Sequence, residues 1–565
     1  LNTGRDIILS QLDQLAQPAA ALAGTPTTDR WVVLPYEGPQ FNGSMLWAPS
    51  RSKPPEIRIP LPAVGPCRIH LGIYGSATWP YWFNLIGVYG QHTRWCRLRV
   101  RLSDQPGFED LIPRIDPNQP RFEYLSEVLY ATANLRGQEL VVAPACREAY
   151  LDTTALLSHV RLEPVPALEP WPAQTRRLTM YFDGAMFGHY VDSADEIAAM
   201  LRPIAGTDYD TVLWNTSRED TCYYPTRVGN VLPRQAMAGM YPYWAGEDLH
   251  RMIERGQDPL REVCRIGHDL GLKVLATYRR MTCRMPPFTF PLHPEAMLMK
   301  RRDLWCVNRD GSPAPHLSVV HADVRRRVVS ILREQATEYD VDGVHLYLSR
   351  GLPLAFYEPA VLEEGRRRFD VDLRTLPLTD ERLGLCRAPF VTTWFREIRA
   401  MLDEAGKGRG RRLLFGLHCP NTLANCLYYG IDIVTLAKEG IVDLLYPDQG
   451  HFLPAQRGDK KLSGDAVAQF VAAASGSTMQ ILPTIGDDKL EESAKAYYGA
   501  GAQGFHACSQ DLATRRWVLA IAARLGHRDL VGAIAQHTAD HSRFVPLTSV
   551  GGLAFDMESG IPTCG

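Results

Sequence analysis

This chain of 565 residues has no basic stripe, no bilayer-length apolar run, no CxxC pair and no glycine-rich phosphate loop. Each absence removes a class of function. With 61 Lys and Arg against 63 Asp and Glu, the net charge of −2 offers no field for nucleic acid or an anionic membrane. No apolar run nears the roughly 20 residues that span a bilayer. The twelve cysteines are scattered from Cys67 to Cys564, which reads as buried free thiols rather than a zinc cage or a disulfide framework. That usage leans toward a reducing compartment, as does the lack of a charged-then-apolar leader, so the cytoplasm is the favoured location. Surface composition gives no oligomer signal.

What is present divides by texture. Residues 1–166 open with a short helical pattern (Asp6 to Leu22) and continue as alternating strands cut by Gly and Pro. Examples are IRIPLPAV (57–64), CRIHLGIYG (67–75), CRLRVRLS (96–103) and QELVVAP (138–144). Such spacing predicts an antiparallel β-sandwich. Residues 167–175 lie in a Pro-rich stretch and form a linker. Residues 176–543 then alternate strand and amphipathic helix eight times, which predicts a (β/α)8 barrel rather than an open doubly wound sheet. The tail, 544–565, returns to strand texture and could add a strand to the first domain. The fold class is therefore α/β, a TIM barrel preceded by an antiparallel β-sandwich.

Barrel enzymes place their working groups where the strands end. Here those positions hold Asp183 after strand one and Asn215 on strand two, with Glu219 and Asp220 beyond. Arg279 ends strand three. Strand four carries His345 and Tyr347, followed by Ser349 and Arg350, with Glu358 in its loop. His418 ends strand five, Asp448 follows strand six, Asp487 and Asp488 follow strand seven, and His506 and Asp511 mark strand eight. The loop 216–248 is long and aromatic, with Tyr223, Tyr224, Tyr241, Tyr243 and Trp244, and suits a lid whose rings stack on sugar faces.

The stretch HPEAMLMKR (293–301) and the run HLSVVHADVRRR to YDVDGVHLYLSRGLPLAFYEP (316–359) resemble the family 10-like glycosyl hydrolases. KVLATYRRM (273–281), GIDIVTLAKEGIVDLLYP (430–447) and AYYGAGAQGFHA (496–507) extend the likeness over roughly 270–510. The resemblance implies a carbohydrate-active barrel with a carbohydrate partner. It also exposes a departure. Many members carry an Asp on strand four, whereas alternation here presents His345, Tyr347 and Ser349 on one face. Glycoside hydrolysis needs two carboxylates flanking the bond, and Glu358 is the nearest replacement.

The expectation is therefore a glycoside hydrolase in which two of Glu358, Asp448, Asp487 and Asp511 act as acid and base or nucleophile. Asp183, Asn215, Arg279, His345, Tyr347, Arg350, His418, His506 and Trp244 would bind substrate. No paired HxH on strand one and no HxxE helix is present, so no metal and no cofactor is called for. The alternatives are a lyase or isomerase built on the histidines or Tyr347, with or without a metal, and a non-catalytic glycan-binding barrel.

Overall fold

The computed structural model describes residues 5–49, 52–75, 98–105, 108–111, 124–144, 155–168, 175, 177–182, 193–234, 244–280, 293–348, 351–448, 461–485, 490–508, 525–531 and 543–554. In the N-terminal part, hydrophobic alternation is converted directly into sheet faces. Ile57 and Ile59 are buried while Arg58 and Pro60 are exposed, and Leu98, Val100 and Leu102 are buried beside half-buried Arg99 and Arg101.

Three sheets result. A five-stranded sheet runs in the order Ile7–Leu9, His159–Pro164, Pro66–Gly75, Tyr124–Asn134, Arg543–Pro546. A four-stranded sheet runs Ile57–Pro60, Glu139–Pro144, Leu98–Leu102, Glu109–Leu111. A third sheet holds Ala155–Leu157, Gly43–Ala48, Trp31–Glu37, Ser549–Val550 and Leu553–Ala554, with Leu22–Ala23 added to Trp31–Glu37. All three contribute to one apolar cluster that includes Ile59, Ile69, Leu71, Val100, Leu140, Leu157, Leu162 and Val545.

The leading segment differs from the helix expected there. Ile7–Leu9 pairs antiparallel with Val160–Leu162, and the helix proper is only Leu12–Leu15. The run Ile7-Ile8-Leu9 favours a strand, and Pro18 removes a backbone donor from any longer helix.

Farther along the chain a row of parallel strands carries the candidate site. Strands one to eight are Leu178–Phe182, Tyr209–Arg218, Lys273–Arg279, Gly343–Tyr347, Leu414–Cys419, Leu444–Pro447, Gln480–Ile481 and Phe505–Cys508. Each pairs in parallel with the next up to seven, and strand one also pairs with strand eight. Thr484 bridges to His506. Beside that bridge, Ile485 N–H donates to His506 O at 2.9 Å and His506 N–H donates to Pro483 O at 3.1 Å. The two ends of the row are thus linked by this bridge and its backbone hydrogen bonds. Thr221–Cys222 pairs antiparallel with the end of strand two, which makes the whole sheet mixed.

Helices separate the strands, and their caps are written in the sequence. Asp258 accepts from Leu260 and Arg261 N–H to start Pro259–Asp269, and Thr422 accepts from Asn425 N–H to start Leu423–Tyr428. Ala322–Glu338 and Glu381–Arg409 bury Val328, Ile331, Trp394 and Phe395 into the large apolar cluster around the strands.

Candidate functional site

The interior of the strand row changes character along its axis. Leu213, Leu275, Leu444 and Leu482 pack in one buried cluster with Tyr181 and Tyr446, and Leu414 and Tyr347 lie against it. Two residues farther toward the C-terminal ends, the same faces present Asn215, Thr277, Tyr446 and Thr484, joined by His345, His418 and His506 from strands four, five and eight. Barrel interiors are ordinarily filled by branched apolar side chains, and this polar layer departs from that pattern.

Its geometry is tight. His345 and His418 are 0% exposed and His506 is 2% exposed. Thr277 Oγ1 lies 3.0 Å from His345 Nδ1, and His345 Nε2 lies 2.7 Å from His418 Nδ1. Thr484 Oγ1 lies 3.3 Å from His506 Nδ1. The rings of His418 and His506 meet edge-on with centroids 4.4 Å apart, and Tyr446 stands 5.2 Å from each. Gly416 makes the approach feasible, since a Cβ there would come within 3.2 Å of both His345 and Tyr446.

Burial pushes His345 and His418 well below the ordinary histidine range, with repulsion from His506 adding to both and repulsion from His345 adding at His418; burial takes His506 down to about 3. All three are therefore neutral at physiological pH. A neutral imidazole donates through one nitrogen and accepts through the other. The Thr277–His345–His418 chain consequently has two self-consistent proton arrangements, one the reverse of the other. Its outer end, His418 Nε2, and His506 Nε2 make no hydrogen bond among the described residues.

A ring stack packs against the same buried cluster. Tyr347 of strand four lies face to face with Tyr181 of strand one, with centroids 4.7 Å apart and planes 10° from parallel. The Arg279 guanidinium stands 5.2 Å from the Tyr347 centroid, and the His418 ring is 4.7 Å away.

The structure thus brings together Asn215, Arg279, His345, Tyr347, His418 and His506 from the residues read from sequence. Asp448 follows strand six directly, half-buried, and its N–H donates to Cys419 O at 3.0 Å. Glu358 is placed elsewhere. It is 1% exposed, with Oε2 accepting from Phe356 N–H at 2.6 Å. Burial, followed by the Glu358 charge, pushes the neighbouring Cys306 thiol up. Trp244 opens the helix Trp244–Glu254. Asp183, Arg350, Asp487 and Asp511 lie outside the described residues.

The aromatic loop is only in part a loop. Strand two runs on to Arg218, and Tyr223 and Tyr224 are buried, with Tyr224 Oη donating to Glu334 Oε2 at 2.8 Å. These two rings are packing, not a lid.

Sequence reasoning missed Tyr181, Thr277 and Thr484. Period-two spacing from Arg279 back to Thr277 was a usable signal, but no local pattern announces the cross-strand partners. Among the described residues no group of three or more His, Cys, Asp or Glu side chains could hold a metal ion.

No protein-family model matches the chain, and no curated protein matches it. Solved structures with likeness to it include α-L-fucosidase isoenzyme 2 from Paenibacillus thiaminolyticus. That match has 12% identity and a TM-score of 0.35, over 64% of this chain and 50% of that one. A β-galactosidase from the psychrophilic Marinomonas ef1 matches at 14% identity and TM-score 0.34, over 59% and 53%. The GH20 exo-β-N-acetylglucosaminidase from Vibrio harveyi matches at 10% identity and TM-score 0.35, over 70% and 60%. The matches span about half to three-fifths of those proteins' own lengths.

Proposed function

We propose that the chain is a carbohydrate-active enzyme, a (β/α)8 barrel fronted by a β-sandwich, that cleaves a glycosidic bond of an oligosaccharide or glycoconjugate where its parallel strands end. The observation that carries this reading is the polar layer of Asn215, Thr277, His345, His418, Tyr446 and His506 directly beneath the mouth, where an ordinary barrel is apolar. The family resemblance over roughly 270–510 supports the same class of substrate.

Strands six, seven, eight and one are consecutive members of the row. Asp448, Asp487, Asp511 and Asp183 follow those four strands in sequence. Asp448 with Asp487 or Asp511 is our acid and base or nucleophile pair, with Asp183 holding a hydroxyl. Arg279 and Tyr347 come from strands three and four on the other side, Arg350 follows strand four in sequence, and Trp244 follows strand two; we assign these four to substrate binding. We assign Glu358 to the support of its own loop, because its carboxylate already caps Phe356 N–H.

The test is a panel of aryl glycosides and oligosaccharides with the wild type and with Asp448→Asn and Asp511→Asn. Removing a general acid or base should lower kcat by about 10²–10⁴ while the melting temperature holds. No turnover by the wild type, or full turnover by both variants, would sink the reading. The His345–His418 chain favours one second reading, in which proton transfer runs through the imidazoles. It would show as a comparable loss in His418→Gln with both aspartate variants active.

A further inference from the structure

The face of the five-stranded sheet turned away from its apolar neighbours carries a second cluster of titratable groups, unrelated to the strand-end site. At its centre is Glu127, 0% exposed. Its Oε1 lies 2.8 Å from His159 Nε2 and accepts from Arg543 Nη2 at 3.0 Å. Its Oε2 accepts from Arg161 Nε at 2.9 Å, and Arg543 Nε lies 2.9 Å from the same atom. Arg161 Nη1 then donates to Asp6 Oδ2 at 2.9 Å. Glu163, 3.8 Å from Arg161, pairs with His70 at 3.1 Å and Arg68 at 2.8 Å.

The sheet order gives this cluster its meaning. Asp6 borders Ile7–Leu9 at one edge and Arg543 opens Arg543–Pro546 at the other, with the remaining charges on the three strands between. The edge strand Arg543–Pro546 follows the parallel row in sequence and is only four residues long. It pairs in register with Tyr124 to Glu127, and Ser549–Val550 then pairs with Tyr36 and Glu37 of another sheet. Its buried apolar anchors are Val545 and Leu547, each 1% exposed. A strand so short, at an edge, has few backbone bonds to hold it.

We propose that Glu127 is an ionic lock: its carboxylate grips Arg543 and keeps the returning strand seated as a strap across two sheets. Loss of that charge frees the strap while the rest of the sheet stays folded. This proposal is independent of the glycosidase reading.

Acid should open the lock. Burial alone would raise Glu127, but the His159 hydrogen bond and the charges of His159, Arg161 and Arg543 bring it down to about 2. Its contribution is full above the unfolded carboxyl range near 4.5 and is lost as pH falls toward 2. Burial lowers His159, and burial and then Arg161 lower His70 to about 4. Both are lost in the same direction as pH drops below about 6.5. Asp6, Tyr36, Arg68 and Glu163 are the other charged or titratable groups facing the cluster among the described residues.

Hydrogen–deuterium exchange of the full chain tests the lock through peptides covering 543–550. Glu127→Gln at pH 7 should speed exchange there at least tenfold, while residues 66–75 keep wild-type protection. Arg543→Gln, at a side chain 41% exposed, should do the same and carries the test if Glu127→Gln does not fold. The wild type should show the same local loss setting in as pH falls from about 4.5 toward 2, after correction for intrinsic rates. Unchanged protection in the folded variants, or loss spread equally through 66–75 and 124–134, would overturn the proposal.

Discussion

The molecule buries histidine in two contrasting ways. In the five-stranded sheet, His70 and His159 face carboxylates that are themselves held by Arg68, Arg161 and Arg543. In the strand row, the hydrogen-bond partners of His345, His418 and His506 among the described residues are hydroxyls and one another, and their rings pack on Tyr347 and Tyr446. Burial holds all five below the ordinary range, yet the consequences differ. Among the described residues the buried charges of the sheet pair with counter-charges and hold the fold, and one ring nitrogen there, His70 Nδ1, makes no hydrogen bond. The imidazoles in the row are uncharged, and two ring nitrogens are left over among the described residues. Groups left over beneath a strand-end mouth are available for chemistry, whereas groups locked in ion pairs are not.

The largest effect should come from breaking the charged side. Glu127→Ala takes the shared carboxylate from His159, Arg161 and Arg543 and leaves Arg161 with Asp6 and Glu163, and removal of one partner from a buried ion cluster costs about 3–5 kcal/mol. Denaturant unfolding followed by far-UV circular dichroism would measure it. A loss under about 1 kcal/mol would mean that the cluster is solvated and the contrast is false.

How much of this was legible from the sequence differs between the two regions. The eight strand positions and the row's imidazoles could be read, because alternation along GVHLY and LLFGLH fixes which residues share a face. The sheet cluster could not. His159, Arg161 and Glu163 alternate with apolar Val160 and Leu162, the pattern of a half-exposed strand, so the polar face reads as solvated. Only the return of Arg543 from the end of the chain, 416 residues after Glu127, shows what that face meets. Glu358 shows a related limit: sequence shows a carboxylate near strand four but not the Phe356 N–H that it serves. The aspartates after strands one, seven and eight fall outside the described residues, so their part remains a proposal.

A second prediction separates the regions by pH. Stability should fall as pH drops below about 6.5 in the wild type, because histidines that are neutral when folded gain protons on unfolding. His506→Phe should flatten that fall between about 6.5 and 3, since His506 titrates near 3 in the folded state. Glu127→Gln should flatten the fall below about 4.5, with Glu127 held near 2. Urea midpoints from pH 7 to pH 3 would show the two windows. Identical curves for the two variants would erase the distinction.

Glu358 gives a third and smaller test, of stability against chemistry. Glu358→Ala leaves Phe356 N–H without its buried acceptor, at about 1–3 kcal/mol. Glu358→Gln keeps an oxygen for that donor, so turnover on any substrate found should stay within about threefold of wild type. A loss of a hundredfold in Glu358→Gln would return this residue to the catalytic pair.

The smallest and sharpest comparison uses one hydroxyl from each region. Ser158 Oγ lies 3.0 Å from His159 Nδ1, as Thr277 Oγ1 does from His345 Nδ1. Removing either partner should cost about 1 kcal/mol, so Ser158→Ala and Thr277→Val should look alike in unfolding. They should part in the imidazole nitrogens. His159 Nε2 lies 2.8 Å from the Glu127 carboxylate, so its proton stays on Nε2 whatever Ser158 does. His345 has no such anchor, and its Nε2 faces only His418 Nδ1. Thr277→Val therefore removes the one hydroxyl that biases the direction of the two-imidazole chain. Long-range ¹⁵N spectra should show a changed tautomer balance at both His345 and His418, with His159 unmoved by Ser158→Ala. A His345–His418 pair unaffected by Thr277→Val would mean that its protons are fixed from the His418 side, by a group at the mouth.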